Sequence, residues 1–182
     1  MKSLSELMIR YRAMIGTVCL IVILLLSTPT PKSIFLGFLF IIAGMFFRGW
    51  SSGYINKDKE LATEGPYSLT RNPLYFGSFI LGCGVVIACN NLIALFTFLA
   101  YFSIFFTFLI AIERKRMREK FGAQYDAWAK SANIFIPRLK KIKTANFNIS
   151  YYMKNKEYRV LYFSLVVIAA LIVKYLLQIR KG

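Results

Sequence analysis

Histidine is absent from this 182-residue chain. Histidine-ligated metals, imidazole general bases and serine–histidine triads are excluded with it. Cysteine is scarce: Cys19, Cys83 and Cys89 all sit in apolar runs, without the paired spacing of a metal site. No resident metal is expected. Acids are few as well, eight against 24 lysines and arginines, which leaves a formal net charge of +16. Pro29 and Pro31 follow the first apolar run where a small-residue cleavage site would stand, so no cleavable signal peptide is expected.

What the chain does have is apolar content, 57% hydrophobic and 16% aromatic. So much apolar surface beside so much charge requires the two to be segregated along the sequence. Five apolar stretches stand out, at residues 14–28, 33–47, 74–89, 92–112 and 160–177. A membrane-spanning helix needs about 20 residues; the last two reach this directly and the others by borrowing flanks. Thr28-Pro29-Thr30-Pro31 and Asn90-Asn91 supply tight turns, which predicts two antiparallel hairpins followed by a closing helix. The expected fold is all-α: a single polytopic integral membrane domain over residues 1–182, with about five transmembrane helices.

Basic residues orient it. With a cytoplasmic amino terminus, segments 1–13, 48–73 and 113–159 face the cytoplasm and hold 20 of the 24 basic residues and all eight acids. Positive charge near helix ends favours that side. Within the third segment, the fourth helix is expected to continue to Lys120, to be capped at Phe121-Gly122 and to give way to a short helix over 123–131 with Tyr125 and Trp128 on one face. Ile136-Pro137-Arg138 ends it. The basic connector over 139–156 suits an anionic lipid surface better than a nucleic acid, because its juxtamembrane position already accounts for the charge.

The most informative stretch runs Gly65-Pro66-Tyr67-Ser68-Leu69-Thr70-Arg71-Asn72-Pro73-Leu74-Tyr75-Phe76-Gly77. Asn72 reads as an N-cap and Pro73 as the first residue of the third helix; Gly77, Gly82 and Gly84 suit close helix packing. That local account leaves Arg71, Tyr67 and Tyr75 unexplained. A helix start exposes unpaired N–H groups at the positive end of its dipole, and with Arg71 beside it becomes an anion site for a carboxylate or phosphate. Glu113 ends the fourth apolar stretch. It can pair locally with Arg116, or, since the third and fourth helices form a hairpin, it can face the same membrane edge as Asn72–Tyr75.

These residues in this order resemble a known family. Lys59-x-Leu61-x-x-x-Gly65-Pro66-Tyr67, then Arg71-Asn72-Pro73-x-Tyr75-x-Gly77, then Glu113, Met117 and Phe121-Gly122-x-x-Tyr125, and last Ile136-Pro137, resemble the isoprenylcysteine carboxyl methyltransferases and the related phospholipid methyltransferases over residues 48–138. The resemblance implies an S-adenosyl-L-methionine-dependent enzyme acting on a lipid-like or prenylated acceptor, by carboxyl O-methylation or amine N-methylation. It implies a cofactor pocket formed by Lys59, Glu60, Leu61, Ala62, Tyr67, Asn72, Pro73, Leu74, Tyr75 and Glu113, with Arg71 and Glu113 as catalytic residues. Asn72 stands where the family has histidine, Glu113-Arg114 where it has two glutamates, and Leu109 where the isoprenylcysteine enzymes place a substrate arginine. A sterol-type NADPH-dependent membrane reductase, which carries a similar motif, and a non-catalytic lipid-binding membrane protein are the alternatives. The last apolar stretch lies beyond the resembling region.

Overall fold

The computed structural model describes residues 4–56, 59–138, 141–142 and 146–181, so residues 139–140 and 143–145 of the basic connector lie outside the described residues. The order is α1 (Leu4–Leu26), α2 (Pro31–Ser52), a 3-10 turn (Gly65–Ser68), α3 (Pro73–Cys89), α4 (Leu92–Ala129), α5 (Ile149–Lys154) and α6 (Tyr158–Lys181). The fold is all-α. Among the described residues the only extended pairing is an isolated parallel bridge between Thr70 and Asn133.

By length and composition, three helices among the described residues can cross a membrane: α2, α4 and α6. The 17-residue α3 is apolar but shorter. α4 contains the break expected at its cap. Gly122 has φ +47° and ψ −125°, a conformation open to glycine and hostile to a residue with a Cβ, and the chain resumes helix beyond it up to Ala129.

The chain folds as two compact units, and it passes from one to the other within α2, α3, α4 and α6. The first comprises Met1–Ile41, Gly82–Glu113 and Ser164–Gly182. Its two predicted turns are sewn together. Thr28 N–H donates to Cys89 O at 2.9 Å and its hydroxyl to Asn90 O at 2.9 Å, while the Asn90 and Asn91 amides donate to Thr28 O and Leu26 O. Asn91 Oδ1 also accepts from Ile93 and Ala94 N–H, which caps α4. These bonds satisfy backbone groups left open at the helix ends.

In this unit α2 and α3 meet backbone to backbone. A Cβ on Gly37 would lie 2.4 Å from Gly84 O, and one on Gly84 would lie 2.7 Å from Gly37 O. Small residues allow this approach where lipid offers no hydrophobic drive to association. The last helix is anchored here too. Val167 and Leu171 of α6 are buried, and Lys174 Nζ donates to Leu24 O at 2.7 Å and to Leu25 O. A cation thereby neutralises the negative end of α1.

The second unit comprises Ile42–Leu81 and Arg114–Phe163. At its centre Arg48 of α2 pairs with Glu157, just ahead of α6, through Nε–Oε2 at 3.0 Å and Nη2–Oε1 at 2.8 Å. Nη1 reaches Leu74 O at 3.3 Å and the Ser78 hydroxyl on α3. One guanidinium thus ties three helices. Asn148 and Asn155, on either side of α5, bond the end of α2 and the residues that follow it: Asn148 N–H donates to Gly53 O, and the Asn155 amide to Ser52 O and Ile55 O.

Gly84→Ala is expected to destabilise the protein by about 1–3 kcal/mol, because overpacking against backbone outweighs alanine's better helix propensity. Thermal unfolding in detergent reads this; an unchanged or raised midpoint would refute the backbone contact.

Candidate active site

The motif stretch begins with the 3-10 turn Gly65–Ser68, all four residues of which are buried. Gly65 takes φ +56° and presses against the Tyr54 ring, where a Cβ would come within 2.7 Å. The short helix after Gly122 packs the expected face inward: Tyr125 is buried, its ring lies 5.6 Å from that of Trp128, and Trp128 Nε1 donates to Tyr67 O at 3.2 Å. That indole bond seats the turn.

Residues 133–138 then run alongside residues 69–72. Arg71 N–H donates to Asn133 O at 2.8 Å and Arg138 N–H to Leu69 O at 2.9 Å. Thr70, fully buried, sends its hydroxyl to Phe135 O at 2.8 Å and accepts from Asn72 N–H. The strap is held down by its side chain as well as its backbone. Phe135 stacks edge-on against Phe76 at 5.6 Å and Phe79 at 5.8 Å, and Phe76 against Phe47 at 5.1 Å.

Asn72 was expected to cap α3. Its position is that of a cap, since Phe76 N–H donates to Asn72 O at 3.0 Å. Its side-chain amide, however, donates to Ile134 O at 2.8 Å, so the side chain fastens the start of α3 to the strap. The asparagine supplies a donor where a plain cap would supply an acceptor.

Within this frame Arg71 stands out. Its backbone is engaged, yet its Nε is buried with no hydrogen-bond partner among the described residues. Leaving a buried donor of a charged group unmade costs about 1–3 kcal/mol or more. Such an orphan needs an explanation. It sits beside Pro73, the first residue of the 17-residue α3, where a helix end already favours negative charge. Arg71 Nε is thus a buried donor without a partner among the described residues, close to the start of α3.

The remaining expected residues are distributed as follows. Tyr67, Pro73, Leu74 and Tyr75 belong to this same continuous segment; Tyr67 and Pro73 are buried, Leu74 and Tyr75 half-buried. Lys59 and Glu60 are exposed, and Leu61 and Ala62 half-buried. Glu60 Oε1 accepts from the Tyr151 hydroxyl of α5 at 3.1 Å, and Asn56 donates to the same hydroxyl. Hydrogen bonding to the Glu60 carboxylate, with burial and its negative charge adding to it, raises the Tyr151 pKa above the ordinary tyrosine value. Glu113, half-buried, is the last residue of the first unit.

Comparison with known proteins decides the family. The phospholipid methyltransferase family model matches residues 12–124. The chain belongs to this family. The chain is also 30% identical over 123 residues to the protein-S-isoprenylcysteine O-methyltransferase of Saccharomyces cerevisiae, covering 61% of this chain and 52% of the relative. It is 33% identical over 96 residues to the nickel-cobalt-cadmium resistance protein NccN of Alcaligenes xylosoxydans xylosoxydans, covering 50% of this chain and 44% of that one. The chain thus spans about half the length of the curated relatives it matches. No solved structure matches it.

Sequence reasoning missed the groups that hold the motif in place: Thr70, Trp128 as a donor to Tyr67, Asn133–Phe135, and the Arg48–Glu157 pair. Glu157 carried one signal, as the only acid between residues 127 and 182.

Two outcomes follow. Asn72→Ala should cost about 0.5–1.5 kcal/mol, and Asn72→Asp, a good cap without a donor, should not restore it; recovery by aspartate in thermal unfolding would refute the anchoring role. Because its pKa is raised in the fold, Tyr151 stabilises the neutral phenol. That contribution is complete below the unfolded tyrosine value of about 10, and is lost as pH rises through the higher folded value. Ultraviolet titration of wild type against Tyr151→Phe should show one late-titrating phenol, and a Tyr151 that ionises with the exposed tyrosines would contradict it.

Proposed function

We propose that this membrane methyltransferase uses S-adenosyl-L-methionine to methylate a lipid-like or prenylated acceptor, with its motif region on the cytoplasmic side. The observation that carries the reading is the Nε of Arg71, buried just before α3 and without a partner among the described residues. A carboxylate is the ligand such a donor suits best, because a guanidinium N–H to carboxylate bond is charge-assisted and short. Adenosylmethionine bears one, and when bound it supplies a methyl group on a sulfonium ready for in-line displacement.

The chain's own residues would do the rest by position. Arg71 and the first-turn N–H groups of α3 hold the carboxylate; Tyr67, Pro73, Leu74 and Tyr75 bring half-buried and buried surface to the same segment. Motif order alone, with no geometry, gives Glu113 the complementary task of holding a positive group, and Lys59–Ala62 a further part of the lining. Methyl transfer needs orientation and exclusion of water more than proton transfer, which suits a chain without histidine. The acceptor reaches the site laterally from the bilayer, since a water-soluble acceptor would gain nothing from helices of this length and apolarity.

The test is transfer of label from methyl-labelled adenosylmethionine to a total lipid extract, with the labelled species then identified. A labelled lipid supports the reading; adenosylmethionine that neither binds nor turns over, beside tight NADPH binding, refutes it. Arg71→Gln is expected to weaken adenosylmethionine binding roughly tenfold to a hundredfold in calorimetry, about 1.5–3 kcal/mol for a bond to a charged group. Glu113→Gln and Tyr75→Phe are expected to weaken it too. Normal affinity in all three would move the site elsewhere.

A further inference from the structure

The second unit carries a groove of about 260 Å³ that lies apart from the motif stretch. One wall is the α2 stripe Ile42, Met45, Phe46 and Gly49; the other is Tyr152 of α5 with Glu157, Val160 and Leu161. Pockets for whole drug-sized ligands run larger, about 300–1,000 Å³, so this one suits a single hydrocarbon chain. Its flanks face outward into an apolar surround: Phe46 is 70% exposed, and Ile42 and Leu161 over 40%. Its other end is polar, with Tyr152 and the Glu157 carboxylate. The groove is therefore amphiphilic along its length.

Charge decides which amphiphile. Glu157 is neutralised by Arg48 at 2.8 Å, and it is the only acid in residues 146–163. Lys154, Lys156 and Arg159, immediately around Glu157 in the chain, are exposed. With Glu157 paired to Arg48, these three exposed cations beside it in the chain outnumber Glu60, the acid bonded to Tyr151 of α5, so the charge next to the polar lining is net positive. The frame around it is rigid, because Asn148 caps α5 and Asn155 bonds Ser52 O and Ile55 O.

We propose that this groove binds one acyl chain of an anionic phospholipid, with the phosphate against Lys154, Lys156 and Arg159. Half of the lining, Tyr152, Glu157, Val160 and Leu161, lies beyond residues 12–124 that match the family model. It gives the carboxyl-terminal segment a binding role of its own, which stands whether or not the chain transfers methyl groups. Juxtamembrane cations add to one another in attracting an anionic lipid, so three of them are enough to discriminate headgroups.

The full chain, purified in a non-ionic detergent, is titrated with dioleoylphosphatidylglycerol, dioleoylphosphatidylcholine and dioleoylphosphatidylethanolamine. Lipid retention is read by native mass spectrometry and the unfolding midpoint by thermal shift. Phosphatidylglycerol is expected to be retained at one lipid per chain and to raise the midpoint, the other two not. Gly49→Leu, which fills the groove, should abolish retention. Gly49→Ala should not, because its Cβ would meet Tyr152 at an ordinary 3.6 Å. Replacing the three surface cations together (Lys154→Gln, Lys156→Asn, Arg159→Gln) should weaken phosphatidylglycerol binding roughly tenfold or more, a readout that survives if Gly49→Leu folds poorly. Equal retention of all three lipids, retention of none, or undiminished binding by the triple variant would overturn the proposal.

Discussion

The pairing of residues 69–72 with residues 133–138 fixes the local geometry on which the proposed chemistry rests. It is short, with one bridge and a handful of hydrogen bonds, yet it is reinforced from both sides: Thr70 is fully buried beneath it and Phe135 is wedged among Phe76 and Phe79. Its effect is to commit the backbone of Arg71 while leaving Nε buried and without a partner among the described residues. A guanidinium on a flexible loop would turn toward water or a neighbouring acid. Here the surrounding structure sustains the cost of an unmade bond, as functional sites commonly do.

A second constraint is the ion pair between Arg48 and Glu157. Both members are largely buried, and the guanidinium uses its remaining N–H groups on Leu74 O and Ser78. Such a pair adds little net stability against an apolar substitute, because desolvation offsets attraction. What it supplies is placement: it sets the start of α6 against α2 and against the first turns of α3, the same turns that follow Arg71. The carboxyl-terminal helix, which no motif explained, is thereby part of the motif's support in this unit, and in the other unit Lys174 closes the end of α1.

Much of this was legible in the sequence because it was local. The helix start at Pro73, the turns at Thr28–Pro31 and Asn90-Asn91, the break at Gly122 and the inward face of Tyr125 and Trp128 each follow from backbone preferences within a few residues. Gly84 was read as a packing position, and it meets Gly37 of α2 together with Ala88. The strap was not legible. Asn133, Ile134 and Phe135 lie more than sixty residues from their partners, and nothing in their immediate neighbourhood marks them as receptors for Thr70 and Asn72. The same distance hid the role of Asn72, whose local chemistry as a cap and long-range chemistry as a donor to Ile134 both suit asparagine.

The most direct measurement is the nuclear magnetic resonance of the Arg71 Nε–H group itself, in protein labelled with nitrogen-15 arginine and assigned through the signal lost in Arg71→Lys. Addition of S-adenosylhomocysteine, which keeps the carboxylate and lacks the transferable methyl, should shift that resonance downfield and slow its exchange with water. A ligand that binds while the Arg71 Nε–H signal stays where it was would contradict the assignment of this arginine as the anion-holding group.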